Sequence, residues 1–226
     1  MSATSDSRIR FFFDYISSNA YLAWLELPKL AARYAATVEP VPVLFAGLLE
    51  AHGQLGPAEV RPKARWMWKN NLRKAALLGV PLHPPAYHPF NPLLALRVSS
   101  LPSLGKQRTE LIDALFRAIW AERRHVSEPT VVERVASETG LDGVQLVEEA
   151  QATDAKARLR AETDGAIAAG VFGVPSMLVG KELFWGYDDF PYLELVLAGR
   201  DPVDFEALQQ GPMQASAMRR RFREAE

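Results

Sequence analysis

Apolar residues along this chain fall into two kinds of run. Phe11, Phe12 and Phe13 form an unbroken apolar stretch after Arg10, with Ile9 before it, as a strand buried in a sheet requires. It stops at Asp14, and from Ser18 the period changes. Tyr21, Leu22, Leu25, Leu30, Ala31 and Tyr34 recur at roughly helical spacing, which predicts a helix over 18–36, with Pro28 kinking it or removing one hydrogen bond. Ser17, Ser18 and Asn19 are the residue types that cap a helix N-terminus. A second strand follows over 37–44; Pro40 and Pro42 cannot donate to a ladder, so it belongs at a sheet edge. The first 45 residues thus read as β-α-β.

Strand signals then vanish until about residue 170. Helical segments are predicted over 45–51, 62–78, 91–101, 106–122, 128–139, 143–150 and 153–169, separated by Pro- and Gly-containing breaks. Strands return over 175–179 and 182–185 around Gly180-Lys181, a two-residue hairpin with Gly first, as a type II′ turn prefers. Asp188 or Asp189 is placed to cap a last helix that runs through Leu197 and ends at Gly199. The sum is an α/β fold: a thioredoxin-like domain over 8–45 and 170–210, interrupted by an all-α insertion over 46–169. A basic tail over 211–226, with Arg219, Arg220, Arg221 and Arg223, reads as a solvated helix.

Composition narrows the chemistry. The 226 residues carry a net charge of −1, so no whole-molecule field recruits nucleic acid or anionic membrane. The polar first eight residues lack a signal-peptide core, and no run approaches the roughly 18 apolar residues of a membrane span, so a cytoplasmic location is expected. Cysteine is absent, which excludes disulfide exchange and thiolate nucleophiles of the chain's own. Any reactive sulfur must arrive on a ligand. His52, His83, His88 and His125 show no metal-ligand spacing.

A strand that delivers a small hydroxyl to a helix N-terminus is the active-site geometry of thioredoxin-like proteins, with Ser17 where they usually carry cysteine. The helix end favours an anion there. Ser17 can equally be a helix cap without chemistry. Gly173-Val174-Pro175 precedes the first returning strand and matches the cis-proline loop of that fold, although a trans proline opening a strand fits the local sequence as well. Trp66, Met67 and Trp68 lie among Lys63, Arg65, Lys69 and Arg73, a helix with one buried stripe and a solvated basic face, or a wall for a carboxylated aromatic. Asp14 reads as a strand-end residue.

Asp14-x-x-Ser17, Gly170-Val171-Phe172-Gly173-Val174-Pro175, Phe184-Trp185-Gly186-Tyr187-Asp188 and the segment 91–97 resemble, in order and spacing, the 2-hydroxychromene-2-carboxylate isomerases. These belong to the DsbA-like group that includes the kappa-class glutathione transferases. The resemblance implies glutathione as cofactor, an aromatic carboxylate substrate from aromatic-compound degradation, and a homodimer. It implies that Ser17 donates to the glutathione sulfur and that Val174 clamps the cysteinyl backbone. Asp188 would pair with the γ-glutamyl end, with Tyr187 in place of a serine. Gln54 would replace a contacting asparagine, and Lys63 would be a basic residue at the site mouth. Ser18 and Asn19 stand where the family carries proline and an aromatic, beside the thiol. Two rivals remain: a kappa-like transferase, and a non-catalytic module that binds a peptide or partner at the Val174 edge.

Overall fold

The computed structural model describes residues 8–204. Its centre is β1 (Arg8–Phe13), which pairs in parallel with β2 (Thr37–Pro42) and antiparallel with β3 (Ser176–Val179); β3 pairs antiparallel with β4 (Glu182–Trp185). The order β2-β1-β3-β4 puts β2 at an edge, where Pro40 and Pro42 deprive no further strand of a donor. Phe12 sits between Val41 and Ser176 in the register.

Alternation along β1 sends its side chains to two different cores. Ile9, Phe11 and Phe13 join the larger one with Trp24 and Leu27 of α1 (Ser18–Arg33) and Leu115, Phe116 and Ile119 of α5 (Arg108–Trp120). The Phe13 and Phe116 rings lie 5.4 Å apart. Phe12 faces the opposite side, with Val41, Val43, Val171, Leu48 of α2 (Phe45–Ala51) and Ala166 of α8 (Thr153–Ala168). Both faces of the strand are covered, which is why its sequence is a continuous apolar run.

Between β2 and β3 the chain is helical: α2, α3 (Arg61–Leu78), α4 (Leu93–Ser99), α5, α6 (Pro129–Glu138), α7 (Gly143–Gln151) and α8. The last helix among the described residues is α9 (Phe190–Leu197). Several boundaries differ from the sequence-based ones for local reasons. Helix α1 ends at Arg33 rather than residue 36, and Ala35 takes a left-handed φ of 51°. Strand β2 stops at Pro42, two residues short of the expected end. Helix α4 starts late because the Asn91 carboxamide first accepts the Leu93 N–H at 3.0 Å. Helix α5 starts at Arg108 because Gly105, at φ 51° and ψ −122°, breaks the preceding turn. Asp189 holds the N-cap position of α9 but does not cap it; its carboxylate accepts the Trp185 N–H at 2.8 Å. Gly180 has the positive φ, 61°, that a tight hairpin needs. The expected tail helix lies outside the described residues.

Candidate active site

The turn joining β1 to α1 is tied down residue by residue. The Ser17 N–H donates to the Asp14 carbonyl at 3.1 Å, and the Ile16 N–H to the Asp14 carboxylate at 3.0 Å. The second Asp14 oxygen accepts the Phe45 N–H at 2.9 Å. Burial pushes the Asp14 carboxyl up to about 7, against the lowering effect of those two backbone donors. The Trp120 indole N–H donates to the Tyr15 carbonyl at 3.0 Å, and the Tyr15 hydroxyl pairs with Ser99 at 2.6 Å. His88 Nε2 lies 3.1 Å from the Ile16 carbonyl oxygen, which can only accept, so Nε2 carries a proton. Burial lowers the His88 pKa and favours the neutral ring.

Ser17 is the N-cap of α1. It is extended at φ −93° and ψ 110°, and its Oγ accepts the Ala20 N–H at 3.1 Å. The same hydroxyl donates to the Val174 carbonyl at 3.4 Å, a long contact. It is half-buried, open enough to meet a ligand. The Val174–Pro175 bond is cis, resolving the two sequence alternatives. No described residue accepts the Val174 N–H. The Pro175 carbonyl accepts the Gly186 N–H at 2.8 Å, which holds the 173–175 loop against the turn after β4. Trp185 covers that loop: a Cβ on Gly173 would sit 2.6 Å from its Nε1.

The next two residues of α1 bind the site together. Buried Ser18 accepts from Asn71 Nδ2 at 2.8 Å, and the Asn19 side-chain oxygen accepts the Tyr187 N–H at 2.8 Å. These are the positions where the family resemblance leads one to expect proline and an aromatic. In this chain polar links to α3 and to the Tyr187–Asp189 turn stand there instead. One turn beyond Asn71, Lys74 Nζ pairs with Asp188 at 2.5 Å and lies 5.7 Å from the Tyr187 ring centroid.

Six of the eight residues anticipated for the site therefore converge: Ser17, Ser18, Asn19, Val174, Tyr187 and Asp188. Gln54 and Lys63 are exposed, after α2 and in the first turn of α3, and no hydrogen bond or ion pair links them to this cluster. Sequence reasoning missed Asn71 and Lys74. Their signal was present: with Ala75 they are the buried residues of α3, whereas Lys63, Arg65, Lys69 and Arg73 form its exposed basic face. A lysine on a buried stripe needs a partner. Trp66 is exposed, while half-buried Trp68 packs edge-on to His88 with ring centroids 5.1 Å apart.

Chemically, the cluster offers a hydroxyl donor and the positive end of a 16-residue helix at one point. That combination stabilises an anion arriving there. No described side chain accepts from Ser17 Oγ, so nothing activates this serine as a nucleophile.

The model of the DSBA-like thioredoxin domain matches residues 8–198, and the chain is 32% identical over 192 residues to the 2-hydroxychromene-2-carboxylate isomerase of Sphingobium xenophagum, spanning 84% of this chain and 97% of that one. The chain belongs to the 2-hydroxychromene-2-carboxylate isomerase family of DsbA-like proteins. A solved 2-hydroxychromene-2-carboxylate isomerase superposes with a TM-score of 0.78 at 27% identity, covering 85% of this chain and 95% of that one. The kappa-class glutathione transferase 2 of Caenorhabditis elegans is 25% identical, over 84% of this chain and 91% of its own. Membership of this family makes the fold DsbA-like, a thioredoxin unit with a helical insertion, and supports an isomerase. Among the described residues no helix is long and apolar enough to cross a membrane.

Proposed function

We propose that the chain is a glutathione-dependent isomerase of a 2-hydroxychromene-2-carboxylate type substrate, acting in aromatic-compound degradation. The observation that carries this reading is the Ser17 hydroxyl at the start of α1, facing the Val174 carbonyl in a chain without cysteine. A site built to hold a thiolate, with no thiol of its own, calls for a thiol ligand.

In this reading the Ser17 O–H turns from Val174 to the cysteinyl sulfur of glutathione, while its lone pair keeps the Ala20 N–H. Lowering a thiol pKa from about 8.5 to about 7 takes roughly 2 kcal/mol. A charge-assisted hydrogen bond and a helix terminus together supply that much. The Val174 N–H and carbonyl hold the cysteinyl backbone, and Asp188 takes the γ-glutamyl ammonium. Gln54 and Lys63 border the mouth, Ser18 and Asn19 shape the wall beside the thiol, and Tyr187 lies with Asp188 at the γ-glutamyl end. The thiolate adds to the end of the substrate's double bond next to the aromatic ring; that bond becomes single as its electron pair shifts to the neighbouring carbon–carbon bond and expels the ring oxygen as phenoxide. The ring opens, with the hemiketal proton passing to the phenolic oxygen, and the chain rotates about the new single bond. Expulsion of the thiolate restores the double bond, so atoms and glutathione are conserved.

Calorimetric titration with reduced glutathione tests the site, and thiolate absorbance against pH tests Ser17. Saturable binding and a thiol pKa lowered in wild type but not in Ser17→Ala are expected, with isomerisation slowed about 10–100-fold in that variant. Isomerisation by Ser17→Ala at the wild-type rate would overturn the role of the hydroxyl. The kappa-class relative favours a second reading, transfer of glutathione to an electrophile. Mass spectrometry separates the two: regenerated free glutathione means isomerase, a stable conjugate means transferase. The family resemblance also implies a homodimer, which light scattering on the purified protein checks.

A further inference from the structure

The Lys74–Asp188 pair is asymmetric. Lys74 is 9% exposed, with its ammonium 5.7 Å from the Tyr187 ring centroid, whereas the Asp188 side chain is 64% exposed. An ammonium that is nine-tenths buried loses most of its hydration, and one surface carboxylate replaces only part of it. Asp188 Oδ2 satisfies one of three Lys74 protons; two donors remain, and Asp188 keeps Oδ1 and further lone pairs. The neighbouring polar atoms are also incompletely used. Asn71, fully buried one turn before Lys74, donates to Ser18, but its Oδ1 has no hydrogen-bond partner among the described residues.

A cation and an anion held side by side repel any simple ion that approaches: an anion meets Asp188, a cation meets Lys74. A group carrying both charges in the opposite order is favoured twice. We propose that Lys74 and Asp188 form a clamp for a zwitterionic α-amino-acid head, Lys74 taking its carboxylate and Asp188 its ammonium. Resting on the glutathione reading above, that head is the γ-glutamyl end. Its placement follows from the connections already described. Asp188 is the residue after Tyr187, whose N–H is bound by Asn19, and Lys74 is one turn from Asn71, which is bound to Ser18. Both partners of the clamp are therefore anchored to the two residues that follow Ser17, where the sulfur is placed. Lys74 becomes a specificity-determining residue: it makes the site select γ-glutamyl thiols over cysteine-containing peptides that lack a free α-carboxylate at that end.

A thermodynamic cycle tests this. Calorimetry measures reduced glutathione and its analogue amidated only at the γ-glutamyl α-carboxylate, each against wild type, Lys74→Met and Lys74→Arg. Wild type is expected to prefer glutathione over the amide by about tenfold or more, the effect of one charge-assisted hydrogen bond. Lys74→Met abolishes that preference, and Lys74→Arg retains it and shows that a cation suffices. Equal loss of affinity for both ligands in Lys74→Met would overturn the clamp and leave Lys74 as a support for Asp188, with glutathione binding intact in wild type. Failure of wild type to bind glutathione at all would overturn the glutathione site itself, and the clamp with it. Circular dichroism of each variant confirms folding, and if Lys74→Met does not fold, Lys74→Gln takes its place in the cycle.

Discussion

Asp14 brings a carboxyl to a place that is 1% exposed, and the two backbone donors it accepts do not offset the lost hydration. Its pKa is therefore raised to about 7 in the folded chain against 3.8 for the free side chain. A raised pKa means that the folded state holds the proton more tightly than the unfolded one. The resulting stabilisation is complete below pH 3.8 and is lost as pH rises toward 7, by up to about 4 kcal/mol at 1.36 kcal/mol per unit. His88, with a lowered pKa, acts in the opposite sense: its contribution weakens as pH falls below its ordinary value. Comparison of wild type with Asp14→Asn isolates the first effect. Urea unfolding at several pH values is expected to show the advantage of wild type over the variant falling steadily from pH 4 to pH 7 and reversing sign. The variant also carries a pH-independent loss of about 1–3 kcal/mol, because its NH₂ cannot accept one of the two N–H groups. A difference that stays flat with pH would refute the buried, protonated Asp14. Ser17 has a separate stability role: as the cap that accepts the Ala20 N–H, its replacement by alanine is expected to lower stability by about 1 kcal/mol, so activity in that variant must be read on folded protein.

At the scale of elements, the packing of helices turns on single backbone approaches. Gly143 opens α7 against the C-terminal part of α6, and a Cβ there would lie 2.0 Å from the Glu133 carbonyl oxygen. Gly143→Ala must push two helices apart and is expected to destabilise by about 2–3 kcal/mol in thermal melts. Gly165, on the exposed side of α8 with open space around it, gives the same substitution the opposite sign, a gain of about 0.5–1 kcal/mol. Similar melting temperatures for the two variants would contradict this packing. The elements most legible in the sequence were those whose signal is local. The apolar run 11–13 needed only burial on both faces, and Gly180-Lys181 needed only turn chemistry. The edge position of β2 followed from its prolines. Boundaries that depend on a single dihedral, such as Gly105 before α5, were not legible, because many residues tolerate either conformation. The candidate cluster was readable where one element supplied it, at Ser17–Asn19, and at Val174 and Asp188 through family likeness. Lys74 pairs with a residue 114 positions away, and no local pattern names that partner.

For the whole molecule, the sheet and the helical insertion share one continuous apolar core that runs from Phe11 and Phe13 through Phe116 to Val132 and Leu146. The Trp120 indole reaches out of that insertion to the Tyr15 carbonyl, two residues before Ser17. Discontinuous segments joined this way have no separate interior to unfold first. Unfolding is therefore expected to be one transition, with Trp120, fully buried in the insertion, and Trp185, half-exposed beside the 173–175 loop, reporting the same midpoint. The candidate site spans the same divide, since its groups come from α1, α3 and the turn after β4. A ligand that binds only the folded chain stabilises it by about 2.7 kcal/mol at a hundredfold excess over Kd. For a chain of this size that corresponds to a rise of roughly 5–10 °C in Tm. Because a ligand at the candidate site would bridge both parts, glutathione is expected to move both tryptophan probes together, and Asp188→Ala to remove the shift without splitting the transition. Single-tryptophan variants followed by fluorescence with and without glutathione read this directly. Two separated midpoints, with only the Trp185 probe responding to the ligand, would mean that the insertion folds independently of the site it helps to build.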